Sequence, residues 1–248
     1  MSQNFDPNQN YYSFNKKESI PLVFIHGVGL DHQMWSNQVN YFNEYSTLTY
    51  DLLGHGKTPC NKEKLNLKDF SNQLLEILDY LKIEKINLIG FSLGSLIALD
   101  FSSNFQKKIE KLILIGTTYK RSEQERSLVL DRFNQAKLNK PISKQALKRW
   151  FSDKYLEENP KTYELFMKIL NKEPKDHKNF LKAYELFVNH YDDFEAIKKI
   201  NRETLVMTGS DDVGSTPAMS KELVKDLVNS TYIEIQNGKH LCSIECVD

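Results

Sequence analysis

Hydrophobic residues along the chain follow two patterns, short continuous runs and longer amphipathic stretches. The runs are four to six residues long and rich in β-branched side chains, which is typical of buried strands. They cover residues 20–25, 47–50, 86–89, 111–115, 204–208 and 232–235. Between several of them apolar residues recur at helical spacing, most clearly from Leu67 to Leu81. This alternation predicts an α/β fold with a mostly parallel central sheet flanked by helices.

The alternation stops between residues 121 and 200. That stretch contains only helical patterns rich in Lys, Glu, Tyr and Phe, and Pro141, Pro160 and Pro174 interrupt it as helix boundaries do. Strand patterns return after residue 200. The sequence therefore predicts one sheet domain built from residues 1–120 and 201–248, with a helical insertion at residues 121–200.

The segment from Gly90 to Gly94, Gly-Phe-Ser-Leu-Gly, has the form G-x-S-x-G. It lies directly after the strand predicted at 86–89 and before a predicted helix at 96–105. A nucleophile on such a sharp strand-to-helix turn needs neighbours without side chains, which Gly90 and Gly94 supply. Ser92 is therefore the candidate nucleophile.

A serine hydroxyl requires a base to activate it, and the base requires an acid to orient it. In α/β proteins of this kind the acid and then the histidine follow the serine along the chain, each at the end of a strand. Asp211 and Asp212 follow the strand at 204–208, and His240 follows the strand at 232–235. Either aspartate is in the right place to be the acid.

With these motifs the chain resembles the α/β-hydrolase superfamily over nearly its whole length. Residues 26–29 (HGVG) match the family's HG-x motif, and residues 51–56 (DLLGHG) match its D-x-x-G-x-G turn. Residues 30–35 (LDHQMW) are similar to the same stretch of 3-oxoadipate enol-lactonases and related carboxylesterases. Residues 209–217 and 240–245 resemble the family's acid and histidine loops.

The resemblance implies a role for each candidate. Ser92 would be the nucleophile and His240 the general base and then the acid. The family's acid is usually the third residue after the loop glycine, which assigns the orienting carboxylate to Asp212, with Asp211 as the alternative. The insertion at 121–200 lies where the family carries its cap.

The same resemblance implies an oxyanion hole formed by the backbone N–H groups of Val28 and Leu93. His26 would support this loop by hydrogen bonding, and Gly27 would let the backbone approach the substrate. The insertion carries a set of nine aromatic residues, Trp150, Phe151, Tyr155, Tyr163, Phe166, Phe180, Tyr184, Phe187 and Tyr191. Most of them would pack its helices together, and a few would face Ser92 and set the shape of the substrate site. The sequence does not indicate which ones.

The implied function is a serine hydrolase that cleaves a small ester, lactone or thioester through an acyl-enzyme. Its partners would be a small-molecule acyl substrate and water, with no cofactor and no metal. A carbon–carbon bond hydrolase of the same fold and a low-turnover ligand-binding receptor are the alternatives. Oligomeric state and substrate identity are left open.

The charge balance narrows the possible partners. The chain has 33 Lys and Arg residues against 33 Asp and Glu residues, so its net charge is zero. Nucleic-acid-binding proteins usually carry a basic excess, so a nucleic-acid partner is not expected. Neutrality instead fits small, largely uncharged acyl substrates.

The Gly54–Thr58 segment resembles the end of a phosphate-binding loop, but Asp51 stands where the first glycine of that loop is required. Nucleotide binding is therefore not expected.

Hydropathy and cysteine content bear on location. No apolar run reaches the roughly 18–20 residues of a membrane-spanning helix, so no membrane partner is expected. Cys60, Cys242 and Cys246 cannot all pair and form no C-x-x-C motif, which predicts a reduced, cytoplasmic protein without a zinc site. The chain ends eight residues after His240, where relatives usually continue with a helix, so it is either naturally short or truncated.

Overall fold

An eight-stranded sheet forms the centre of the computed structural model, which describes residues 2–138, 143–171 and 174–246. In chain order the strands are β1 (Ser2–Phe5), β2 (Tyr11–Asn15), β3 (Leu22–Ile25), β4 (Thr47–Tyr50), β5 (Ile86–Phe91), β6 (Ile109–Ile115), β7 (Glu203–Gly209) and β8 (Ser230–Ile235). Across the sheet their order is β1-β2-β4-β3-β5-β6-β7-β8. Strands β3 to β8 are parallel, and β1 and β2 are antiparallel. The predicted α/β fold with a mostly parallel sheet is confirmed.

Helices connect the strands. They are α1 (Ser36–Tyr41), α2 (Leu67–Tyr80), α3 (Leu93–Asn104), α4 (Glu123–Lys137), α5 (Ser143–Trp150), α6 (Asp153–Glu158), α7 (Pro160–Leu170), α8 (Pro174–Asn189), α9 (Phe194–Lys198), α10 (Pro217–Asp226) and α11 (Cys242–Glu245). Short 3₁₀ turns lie at His32–Trp35 and Gln106–Lys108. In the part of the chain that the structure describes, no helix has both the length and the apolar character needed to cross a membrane.

The central strands of the sheet are covered on both faces, whereas the edge strand β8 is only partly buried. Alternate side chains of a strand point to opposite faces, and accordingly Val23 and Leu88 belong to one hydrophobic cluster while Phe24 and Ile89 belong to another. Both clusters continue into the flanking helices. Because neither face of the central strands is open to water, these strands are continuous apolar runs, which is why they could be recognised from the sequence.

All six predicted strands are present, each with ends within two residues of the predicted ones. The sequence did not predict β1 and β2, which form an antiparallel hairpin at the sheet edge and pair with β4 through Tyr12 and Tyr50. The first 15 residues are mostly polar, and both Tyr11 and Tyr12 are buried although they are adjacent. This removes the period-two alternation that identifies a strand with one solvated face.

Between β6 and β7 the described residues form helices α4 to α9 and no strand. Pro160 and Pro174 are the first residues of α7 and α8, as expected for proline at a helix start. Pro141 lies outside the described residues. We refer to residues 121–200 as the helical segment. The division of the chain into core and cap stays a prediction.

The strand order creates a crevice at one edge of the sheet. Strand β4 lies on one side of β3 and β5 lies on the other, so the chain leaves β3 and β5 in opposite directions. Ligands of open α/β sheets bind outside the carboxyl ends of strands at such a switch point. Because Ile25 pairs with Gly90, the loop after β3 and the turn containing Ser92 lie side by side there.

Gly94 lies where α3 crosses the end of β3. A Cβ atom on Gly94 would be 2.3 Å from the Ile25 carbonyl oxygen and 2.7 Å from that of His26. Both oxygen atoms belong to the backbone of a central strand or its loop, so moving either of them would disrupt the sheet. The glycine therefore permits a backbone contact that no other residue allows.

Gly94→Ala should lower the free energy of unfolding by roughly 2–4 kcal/mol, since it forces the helix away from the sheet. Gly214→Ala is the matched control, because its Cβ would meet nothing closer than Asp212 Oδ1 at 3.6 Å. Denaturant titration measures both variants. Equal stabilities of the two would contradict the close crossing.

Candidate active site

Ser92 lies in a strained turn between β5 and α3. Its φ is 54° and its ψ is −115°, a region that residues with a side chain rarely occupy. Two hydrogen bonds fix the turn. The Ser92 N–H donates to the Ile115 carbonyl at 2.9 Å. The Ser95 hydroxyl donates to the Gly90 carbonyl at 2.6 Å. A Cβ on Gly90 would lie 2.3 Å from the Gly94 carbonyl oxygen. The G-x-S-x-G spacing therefore has the steric cause inferred from the sequence.

His240 and Asp212 form a short hydrogen bond. Their Nδ1 and Oδ2 atoms are 2.6 Å apart, and the second carboxylate oxygen accepts the backbone N–H groups of Gly214 at 2.8 Å and Ser215 at 3.0 Å. Since the carboxylate accepts, the imidazole proton lies on Nδ1 and leaves Nε2 free to act as a base. Asp211 is exposed and accepts a hydrogen bond from the Ser210 hydroxyl.

Asp212 is ionised although it is buried. Burial raises the pKa of its carboxyl, but the His240 ring and the two backbone N–H donors outweigh burial. The pKa therefore lies below its ordinary value of 3.8. An ionised carboxylate in this position orients the imidazole through the hydrogen bond that it accepts from Nδ1.

One cavity at the carboxyl edge of the sheet brings the predicted residues together. Ser92, Asp212 and His240 line it, as do Gly27 and Val28 of the loop after β3. The side chain of the remaining candidate, Leu93, is buried. As the first residue of α3, Leu93 has a backbone N–H with no acceptor inside the helix.

The loop after β3 is tied to the turn after β4. His26 Nε2 accepts the Leu52 N–H at 3.0 Å, so its proton is on Nδ1, which donates to the Gly27 carbonyl at 2.8 Å. The Gly29 N–H donates to His55 Nε2 at 3.1 Å. These bonds hold the Gly27–Val28 backbone against the cavity.

Asp31, His32 and Asp51 have their potential metal-binding atoms within 4.8 Å of one another. Their carboxylate oxygens already have donors inside the chain. Asp51 accepts the His32 N–H and Nδ1 and the Lys57 N–H, and Asp31 accepts the Gln33 N–H. We therefore assign this cluster to bracing the turns after β3 and β4.

Two residues beside His240 were not predicted. Gly116, directly after β6, has a φ of 58°, and a Cβ on it would lie 3.2 Å from both Cε1 and Nδ1 of the imidazole. The Phe91 ring packs against the same imidazole with centroids 4.7 Å apart. A glycine immediately after a predicted strand was the only sequence signal for Gly116.

The helical segment closes the cavity from above. Among the nine aromatic residues noted in its sequence, the structure places Trp150, Tyr184 and Phe187 on the cavity wall. Arg132 of α4 and Arg149 of α5 also line it, and the sequence did not predict either.

Helix α5 is also bonded to the loop that carries His240. The Leu241 N–H donates to the Trp150 carbonyl at 3.0 Å, and the Ser152 N–H donates to Glu245 Oε1 at 2.9 Å. The helical segment therefore helps to position the histidine as well as to cover it.

Comparison with known proteins identifies the fold family. The sequence profile of the alpha/beta hydrolase fold family matches residues 20–245. This chain belongs to the alpha/beta hydrolase fold family. The resemblance inferred from its motifs is therefore confirmed.

Two relatives carry the names of hydrolytic enzymes. The chain is 27% identical over 241 residues to an (E)-2-((N-methylformamido)methylene)succinate hydrolase of Acinetobacter baylyi, covering 96% of this chain and 89% of the relative. It is 24% identical over 237 residues to 3-oxoadipate enol-lactonase 2 of that organism, covering 95% and 87%.

Solved structures show the same fold. The enol-lactonase of Burkholderia xenovorans superposes with a TM-score of 0.86 at 23% identity, over 96% of this chain and 92% of that one. A malate-bound esterase of Thermogutta terrifontis has a TM-score of 0.83 at 20% identity, over 98% and 91%.

The carboxylate of Asp212 should make stability depend on pH in acid. Its pKa is lowered in the folded chain, so its contribution is fully present above the ordinary value of 3.8 and is lost as pH falls through the folded-state pKa. Asp212→Asn should be less stable than the wild type by about 1–3 kcal/mol near neutrality. The difference should shrink below pH 3.8.

Urea titrations across that pH range measure this difference. Asp211→Asn is the matched control, since its side chain is exposed, and should follow the wild type throughout. A difference between wild type and Asp212→Asn that stays constant down to the acid limit would contradict the assignment.

Proposed function

We propose that the protein is a serine hydrolase that cleaves a small ester, lactone or thioester through an acyl-enzyme on Ser92. The observation that carries the proposal is the 2.6 Å bond between His240 Nδ1 and Asp212 Oδ2 in the cavity that Ser92 also lines. An oriented base beside a serine held in a strained turn is the arrangement that nucleophilic catalysis requires.

Acylation begins with proton transfer. His240 Nε2 accepts the Ser92 hydroxyl proton while Oγ forms a bond to the substrate carbonyl carbon. The carbonyl π electrons move onto its oxygen, and Asp212 stabilises the imidazolium that results. Collapse of this intermediate breaks the bond to the leaving group, which takes the proton from His240.

The developing oxyanion binds to the backbone N–H groups of Val28 and Leu93. Leu93 is at the N-terminus of a 12-residue helix, where N–H groups lack helical partners and the dipole favours negative charge. His26 and Gly27 hold the Val28 side of this hole. Loss of one such donor in an acyl-transfer enzyme costs roughly 3–4 kcal/mol of transition-state stabilisation.

Deacylation repeats these steps with water. His240 Nε2 removes a proton from a water molecule while the water oxygen forms a bond to the acyl carbon. Collapse of this intermediate breaks the bond from that carbon to Ser92 Oγ, which takes the proton back from His240 and leaves a carboxylic acid. No cofactor enters this sequence. The names of the relatives, a hydrolase of a succinate derivative and an oxoadipate enol-lactonase, support a small acyl substrate.

Ser92→Ala should lower kcat/KM for short p-nitrophenyl esters by about 10⁴- to 10⁶-fold, because it removes the atom that forms the acyl-enzyme. A serine-directed phosphonate should add its mass to the wild type at Ser92 alone. Ser103→Ala is the matched control, since Ser103 lies at the other end of α3 and donates to the Asp100 carbonyl.

Three results would oppose this function. Unlabelled Ser92 together with undiminished hydrolysis by Ser92→Ala would remove the proposed nucleophile. A single burst of acylation without steady turnover would favour the low-turnover receptor. Turnover of diketones but not esters would favour the carbon–carbon hydrolase.

Gly116→Ala should lower kcat by roughly 10- to 100-fold with a smaller effect on KM, because a methyl group against the imidazole displaces the base by a fraction of an ångström. Gly54→Ala is the matched control, since Gly54 also has a positive φ of 76° but meets Asn179 and Cys60 instead. Steady-state kinetics on both variants, with stability measured in parallel, tests the contact. Equal kcat values would contradict it.

A further inference from the structure

Two arginines enter the cavity from different helices of the helical segment. Arg132 comes from α4 and Arg149 from α5, and both are half-buried. Among the described residues that line the cavity, Asp212 is the one acidic residue, and His240 already engages it. Within residues 2–138, 143–171 and 174–246, neither guanidinium takes part in an ion pair. The Arg149 Nη1 donates only to a neutral group, the Gln145 carbonyl, at 3.2 Å.

The two positive charges oppose each other. Burial lowers the pKa of the Arg149 guanidinium, and the nearby Arg132 lowers it further. An arginine nonetheless remains protonated at neutral pH. Within the part of the chain that the structure describes, these two partly desolvated cations line one cavity and have no acidic partner. An anionic ligand would stabilise such an arrangement.

Tyr184 adds an uncharged polar group to the same wall. Burial raises the pKa of its phenol, and Arg132 and Arg149 only partly offset this effect. The phenol therefore keeps its proton and provides a hydroxyl donor beside the two guanidiniums. All three groups offer N–H or O–H donors, which is the chemistry that recognises a carboxylate.

The arginines of this chain are concentrated in the helical segment, which agrees with a specific role for them there. The sequence contains 28 lysines and only five arginines, and four of the five, Arg121, Arg126, Arg132 and Arg149, lie within residues 121–200. Lysine serves as the general surface cation of this protein. Arginine is the better carboxylate ligand, because its planar fork can donate two parallel hydrogen bonds.

The two arginines share one cavity with the candidate reacting groups. Arg132, Arg149, Ser92 and His240 all line it. The helix of Arg149 is tied to the histidine loop, because the Trp150 carbonyl accepts the Leu241 N–H at 3.0 Å. A ligand that reaches both the arginines and Ser92 must fit within this cavity, which suits a short spacer between its two ends.

We propose that the acyl substrate carries a carboxylate, separated from the scissile carbonyl by a short chain, and that Arg132 and Arg149 bind this carboxylate. The part of this inference that concerns an ester substrate rests on the proposed hydrolase function. The binding of an anion depends only on the two arginines. The zero net charge of the whole chain conceals this locally cationic cavity.

Three substrates that differ only in terminal charge test the inference. Monoethyl succinate carries a carboxylate, ethyl succinamate replaces it with a neutral amide, and ethyl 4-aminobutyrate carries a cation. We expect kcat/KM to be about 10- to 100-fold higher for the anion than for the amide, the usual discrimination by charge-assisted hydrogen bonds. The cation should be the poorest substrate. Monoethyl glutarate and monoethyl adipate then measure the preferred spacer.

The variants Arg132→Gln and Arg149→Gln should each reduce the anion-to-amide ratio by about 10-fold or more, chiefly by raising KM for the anion. Arg149→Lys should restore part of the ratio. Lys148→Gln makes the same change of charge on the exposed neighbour of Arg149 and should leave the ratio as in the wild type. Equal kcat/KM values for anion and amide, or a ratio unchanged in both arginine variants, would overturn the proposal while leaving the hydrolase function intact.

Calorimetric titration separates the anion site from catalysis. Glutarate should bind Ser92→Ala, glutaramide should not, and Arg149→Gln in the same background should abolish glutarate binding. If no ester is hydrolysed and Ser92 is not labelled, the hydrolase function fails, and arginine-dependent glutarate binding would still support the anion site. Absence of glutarate binding, or binding of inorganic phosphate alone, would overturn the carboxylate assignment.

Discussion

The site depends on one close backbone crossing, where α3 leaves β5 and passes over the end of β3. Contact between Gly94 and the Ile25 carbonyl, and between Gly90 and the Gly94 carbonyl, leaves no room for a Cβ atom. This crossing forces Ser92 into left-handed backbone and places it beside the loop that carries Val28. The local strain persists because the surrounding central strands, covered on both faces, hold each participating segment independently.

A second constraint is electrostatic. Asp212 remains ionised in a buried position because His240 and two backbone N–H groups compensate for lost hydration. The imidazole in turn is held by this carboxylate, by the Phe91 ring and by the absence of a side chain at Gly116. Groups at the carboxyl ends of three strands, β5, β6 and β7, thus orient a single imidazole.

The helical segment connects this machinery to substrate choice. The Trp150 carbonyl at the end of helix α5 accepts a hydrogen bond from the Leu241 N–H of the histidine loop. Arg149, the residue before Trp150, lines the cavity. The groups that we assign to chemistry and to carboxylate binding therefore belong to one hydrogen-bonded unit. A change in the segment's packing would affect both the position of His240 and the charge around the substrate.

The sequence by itself determined the six parallel strands, the serine turn and the order along the chain of the candidate nucleophile, acid and histidine. Continuous apolar runs and steric demands on glycine act locally, so they can be recognised from the sequence alone. The residues alone left Asp211 and Asp212 as alternatives and did not reveal β1 and β2, Gly116, or the presence of Arg132 and Arg149 in one cavity. These features depend on which distant segments come into contact, and that is decided only when sheet order, helix packing and loop register are established together.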